Sequence, residues 1–169
     1  MKQLITEIID QMEQIHEGKG WIGVNFNNKI NGLSENNFFT KVKGMHSIAE
    51  IISHLTTWRF ETILKIRTGE GSITDSDPSN WQNNEELRKV GKEGILLKHT
   101  ESLLELVALL KQKNDTFLDK TYYDTDFKNY YPYTFLMRGM LHHDIYHLGQ
   151  IGLLIKCMES NSNHLKIEK

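Results

Sequence analysis

Two histidines one helical turn apart, His143 and His147, offer this chain's clearest chemistry. On a helix of about 100° per residue they lie about 40° apart. Their Cβ atoms then sit roughly 5–6 Å from each other, a spacing from which two imidazoles can converge on one ion. Leu136, Met140, Ile151 and Leu154 share the same arc, so both rings point toward an apolar interior. Neutral imidazoles are costly there unless each ring nitrogen finds a partner. A metal ion satisfies two nitrogens at once, and neighbouring polar groups can satisfy them too; the pair alone leaves both readings open. His54 lies within Ile51-Ile52-Ser53-His54-Leu55, one turn before Trp58 and at the edge of a second apolar stripe. Taken singly, it reads as a satisfied boundary residue.

The words around these residues narrow the chemistry. His143-Asp144-Ile145-Tyr146-His147 reads H-D-x-x-H, the aspartate relative of a zinc-protease motif whose carboxylate acts as general base. The continuation Leu148-Gly149-Gln150 lacks the third-histidine extension, and aspartate is one carbon shorter, so a protease is disfavoured. Asp144 fits a structural hydrogen bond or a proton-accepting role, the former more readily. Tyr146 and Gln150 flank the pair and could orient a ligand or a nearby water, with helix packing and capping as the plainer alternative. Glu13 and His16 supply one E-x-x-H, but a di-iron carboxylate centre needs two and further carboxylates, so that site is rejected. His142 points about 100° away from His143 and belongs to the surface or to an outer layer of the site. His46 precedes a helix cap, while His99 and His164 have no companion at ligand spacing.

Four helices must carry these residues. The first spans about Lys2–Glu17, with Leu4, Ile5, Ile8, Ile9, Met12 and Ile15 at helical spacing and Gly18 as a stop. Trp21–Gly44, rich in Asn and Gly, reads as a long, partly ordered connection. Ser47 and Glu50 form a capping box that opens the second helix, which closes at Gly69 and Gly71. The third starts near Asn83 and is weakened at Gly91 and Gly94, where a bend is expected. The segment Asp115–Tyr131 reads as a short strand or an extended loop. The fourth helix starts near Pro132 and runs to about Met158. The fold class expected is all-α: one domain over residues 1–169, a four-helix bundle with long connections.

Composition limits the partners. The chain has 169 residues, 38% hydrophobic and 25% charged, with a formal net charge of −2. That balance gives no electrostatic footprint for nucleic acid or for an anionic membrane. No apolar run is long enough to span a bilayer. Cys157 is the only cysteine, so no internal disulfide can form. With an acidic amphipathic N-terminus that carries no leader signature, this points to the cytoplasm.

Two blocks together carry a family resemblance. Met45-His46-Ser47-Ile48-Ala49-Glu50-Ile51-Ile52-Ser53-His54-Leu55 with Trp58, and His143 through Ile151, resemble the second- and fourth-helix signatures of the DinB-like (YfiT-like) superfamily. Trp21-Ile22-Gly23 and Gly44–Ser47 sit where that family places similar words, and the likeness runs from Leu4 to Lys156. The resemblance implies a four-helix bundle, commonly dimeric, with a metal held by one histidine of helix two and an i, i+4 pair of helix four. It thereby joins His54 to His143 and His147. Three neutral histidines leave a coordination position open, as catalytic sites do. Zinc, nickel, iron and manganese all suit such ligands. Family members include thiol S-transferases, thiol-dependent isomerases and metal-dependent hydrolases. The resemblance therefore implies a homodimeric transferase acting with a low-molecular-weight thiol on small electrophiles. The alternatives are a metal-dependent hydrolase or a non-catalytic, metal-stabilised binding or dimerisation module.

Overall fold

The computed structural model describes residues 2–167, with side chains described through Ser160. Helix α1 (Gln3–His16) buries Ile5, Ile9, Met12, Ile15 and His16, the stripe its spacing predicts. Helix α4 (Ile48–Thr68) begins at a complete capping box. Glu50 N–H donates to Ser47 Oγ at 3.1 Å, and the Glu50 carboxylate accepts from Ser47 N–H at 3.0 Å. Glu50 also accepts from the Asn84 N–H and from Lys41, so one buried carboxylate ties the starts of two helices together. α4 ends at Gly69, whose φ of 80° is a left-handed conformation that a Cβ would strain.

Helix α5 (Asn84–Lys111) is capped by Asn83 and bends at Gly91, where φ is 77° and ψ 160°. The expected bend is therefore present, at the first of the two glycines. Helix α6 (Tyr133–Ile167) begins directly after Pro132 and continues beyond Met158, since no Gly or Pro interrupts it there. The four long helices close a ring: α4 packs on α5 and α6, and α1 packs on α5 and α6. Facing stripes of buried Ile, Leu, Met and Phe side chains fill the space between them.

Two connections depart from the four-helix outline. The Trp21–Gly44 stretch, expected to be partly ordered, forms the one-turn helices α2 (Phe26–Ile30) and α3 (Glu35–Phe39). Asn25 and Ser34 cap them, and Phe26, Ile30, Phe38 and Phe39 plug into the core. Segments this short show too little periodicity to be read as helices. Between α5 and α6, a 3₁₀ turn (Asp115–Asp119) leads into an antiparallel hairpin of β1 (Thr121–Asp124) and β2 (Asn129–Pro132). Its turn is braced by Asp124 Oδ1, which accepts from the N–H groups of Asp126 and Phe127. Asp124 Oδ2 accepts from Lys65 Nζ at 2.9 Å, pinning the hairpin to α4. No helix among the described residues is long and apolar enough to cross a membrane.

The α2–α3 connection is core, not tether. Phe38 is fully buried, so Phe38→Ala should destabilise the protein by about 3–5 kcal/mol in chemical denaturation. A loss below about 0.5 kcal/mol, typical of surface positions, would contradict this packing.

Candidate metal centre

α4 and α6 bring His54, His143 and His147 together between them. Nε2 of His143 lies 2.9 Å from Nε2 of His54 and 3.1 Å from Nε2 of His147. All three nitrogens fall within 4.8 Å of one another, and among the described residues no fourth His, Cys, Asp or Glu joins the group. His54 and His147 are 5% and 4% exposed, so the wheel placement of His54 at a boundary understates its burial.

Tautomers follow from what stands behind each ring. His54 Nδ1 faces the Asn80 backbone carbonyl at 3.0 Å, which can only accept, so Nδ1 carries the proton and Nε2 is bare. His147 Nδ1 likewise donates to the Gln150 amide oxygen at 2.7 Å, which leaves its Nε2 bare as well. His143 has one Nε2 to meet both, and one proton there can serve only one neighbour. At least one N···N contact therefore sets lone pair against lone pair. A cation at the centre removes that conflict. A tetrahedral ion with nitrogen ligands at about 2.0–2.1 Å would hold them about 3.3 Å apart, close to the spacing observed. The donor set thus fits a divalent ion on an open site.

Protonation does not offer an alternative cure near neutral pH. Burial, then the neighbouring His147, His54 and Arg59, push His143 down to about 3. Burial and His54 push His147 down to about 4, and burial lowers His54. All three are neutral imidazoles near neutral pH.

The supporting shell is denser than the sequence suggests. Trp81 stacks face to face on His54, centroids 3.9 Å apart and planes within 5°, and His46 stacks on its other face at 3.8 Å. Asn80, 4% exposed, accepts from Trp58 Nε1 through its side chain while its carbonyl holds His54. Both Asn80 and Trp81 come from the polar loop after α4, where no spacing rule marks them; only their residue types hint at a role. Gln150, placed beside the pair by helical phase, is the residue that orients His147.

The other sequence candidates have structural duties. Asp144 is 3% exposed and turned into the core, where it accepts from Arg59 Nη2 at 3.1 Å. Burial raises its pKa against the pull of Arg59. It is an interhelical tie, turned away from the three imidazoles. Tyr146 is 63% exposed and touches His147 edge-on. His142 is exposed. His16, from the rejected E-x-x-H, and His99 meet across the core with ring centroids 5.4 Å apart, and His99 contacts Arg59 and Thr56. They join no metal-ligating group among the described residues. The His164 side chain lies outside the described residues.

His54 and His143 open onto a cleft of about 330 Å³ between α4, α6 and the hairpin. Its walls are largely aromatic and aliphatic, with Trp58, Tyr122, Phe127, Phe135 and Met140 among them. Lys65, Asp124 and Asp75 add charge.

The sequence profile of the DinB superfamily matches residues 25–151. No curated protein matches the sequence. Among solved structures the chain is similar to YfiT from Bacillus subtilis, described as a probable metal-dependent hydrolase with an unusual four-helix bundle topology. That likeness has a TM-score of 0.69 and 14% identity, covering 94% of this chain and 90% of that one. At such identity it concerns the fold.

Histidines held neutral make the protein acid-sensitive. Their folded pKa values lie below the unfolded value near 6.5, so the stability they contribute is complete above that pH. It is lost as pH falls through about 4 for His16 and His147, and about 3 for His143. At pH 5, unfolding of chelator-treated protein should take up about three protons at these three rings alone. The slope of unfolding free energy against pH measures this, and a flat profile between pH 6.5 and 4.5 would refute it.

Proposed function

This chain belongs to the DinB superfamily, and on that footing we propose that it is a metal-dependent transferase that joins a low-molecular-weight thiol to a small electrophile, using His54, His143 and His147 as the metal ligands. The observation that supports the metal is the convergence of three Nε2 atoms whose lone pairs no arrangement of protons on neutral rings can reconcile, while the thiol and the electrophile rest on the family resemblance. A divalent ion bound there would supply Lewis acidity, favouring the deprotonated form of a thiol or water.

The chain's own residues do the remaining work. Asn80 and Gln150 fix the tautomers of His54 and His147, so their lone pairs are committed inward before any ion arrives. Trp81 and His46 hold the His54 ring plane. The largely aromatic and aliphatic walls of the cleft suit a small, mostly apolar molecule at the open side of the site. Zinc, nickel, iron or manganese each suit three imidazoles, and availability selects among them.

Hydrolysis is the second reading, with water in place of the thiol, and the likeness to YfiT favours it. A homodimer is also proposed. It is supported by the family resemblance and by an exposed apolar strip that includes Trp21, Ile22, Ile145 and Leu153.

Calorimetric titration with zinc, followed by turnover assays, tests the proposal. Wild type should bind one ion, His143→Ala should bind none tightly, and Gln150→Ala should bind about 10–100-fold more weakly. Loaded protein should consume a thiol and a chromogenic haloarene together. Turnover of ester or amide substrates alone would replace the transferase by a hydrolase. A loaded protein with raised melting temperature but no turnover would leave a non-catalytic module, and failure of wild type to bind any divalent ion would end the metal reading.

A further inference from the structure

A nucleophile that arrives as a thiol or as water must lose a proton, and the three histidines cannot take it. Their Nε2 lone pairs face one another, and the Nδ1 atoms of His54 and His147 already carry protons held by Asn80 and Gln150. Asp144 is turned away onto Arg59. Among the other titratable groups lining the cleft, Lys65 Nζ donates to Asp124 Oδ2, with Glu61 3.8 Å away. Asp124 spends both oxygens on Lys65 and the hairpin turn. Tyr122 is kept a neutral phenol, its pKa raised by burial and then by Asp124.

Asp75 differs from all of these. It lines the same cleft as His54 and His143, is exposed to the solvent there, and its charge acts on the His54 ring, while among the described residues its carboxylate makes no hydrogen bond or ion pair. Its main chain, by contrast, is fixed on both sides. Its N–H donates to Asp126 Oδ1 at 3.0 Å, and its carbonyl accepts from Asn80 Nδ2 at 2.8 Å. Asn80 also holds Trp58 through its side chain and His54 through its backbone carbonyl, so one buried residue sets Asp75 and His54 in fixed relation. A rigid main chain bearing an uncommitted carboxylate at an open site is the arrangement expected of a general base.

We propose that Asp75 is the catalytic base of this site. Its carboxylate accepts the proton of the incoming nucleophile: the S–H bond of a thiol (or the O–H bond of water) breaks, and an O–H bond forms on Asp75. The electron pair stays on sulfur or oxygen for attack on the electrophile. The protonated Asp75 then returns its proton to the product or leaving group, so no oxidant or reductant is needed. This assignment rests on the proposed function of the site.

Cobalt(II)-loaded protein mixed with 2-mercaptoethanol in a stopped-flow absorbance experiment tests it, following the sulfur-to-cobalt charge-transfer band. Asp75→Asn should slow the appearance of the band at pH 7 by about 100-fold, within the usual range for loss of a general base. Asp75→Glu should retain much of the rate, and added acetate should restore part of it to Asp75→Ala. Cobalt affinity should be the same in all variants, because Asp75 is not a ligand. Equal rates in wild type and Asp75→Asn would overturn the role of Asp75 alone. Loss of cobalt affinity in Asp75→Asn would overturn it too, by making the residue part of the ligand set. A wild type that binds cobalt but develops no band would overturn the thiol reading and this base assignment with it.

Discussion

Three imidazole nitrogens that cannot all satisfy one another are held close together between two helices of the bundle. Each outer ring has its proton locked on Nδ1 by an acceptor, an Asn80 carbonyl for His54 and a Gln150 amide oxygen for His147. His143 between them faces two bare nitrogens with at most one proton to give. An ordinary core histidine would be arranged the other way, its nitrogens paired with complementary groups. Burial, which makes the charged form costly, prevents the rings from escaping by protonation. The conflict is thus built in, and the simplest resolution is a cation.

Keeping that arrangement requires α4 and α6 to stay in one register. The buried Arg59–Asp144 pair does this at the right level, since Arg59 follows His54 on α4 and Asp144 directly follows His143 on α6. Arg59 is further held by the His99 carbonyl and Ser102 Oγ of α5, which extends the tie across three helices. A buried ion pair adds little net stability relative to an apolar replacement, but breaking one partner costs about 3–5 kcal/mol. Its contribution is therefore to make other registers of the two helices expensive. The loop after α4 completes the shell from the outside, with Trp81 against the His54 ring and Asn80 behind it.

The four long helices were legible because each carries a strong local signal. The Ser47–Glu50 box, the Asn83 cap and the glycine at 69 each mark a boundary that the structure reproduces. The i, i+4 spacing of His143 and His147 likewise needs only helical phase. His54 is different: phase puts it at a boundary, and only the likeness of its block to a family signature links it to the pair. The α2 and α3 turns were missed because one-turn helices have no period to detect, and their buried Phe and Ile residues are fixed by tertiary packing. Asn80 and Trp81 were missed because a loop residue's role depends on where the chain folds back. Asp144 lies within the motif that suggests catalysis, yet its side chain turns inward to Arg59, a choice made by the opposite helix.

X-ray absorption at the metal edge of zinc-loaded protein tests the central claim most directly. An open three-histidine centre should show three imidazoles and one light-atom ligand that is replaced by sulfur when a small thiol is added. A closed shell with a fourth protein ligand that thiol does not displace, or fewer than three imidazoles, would contradict it.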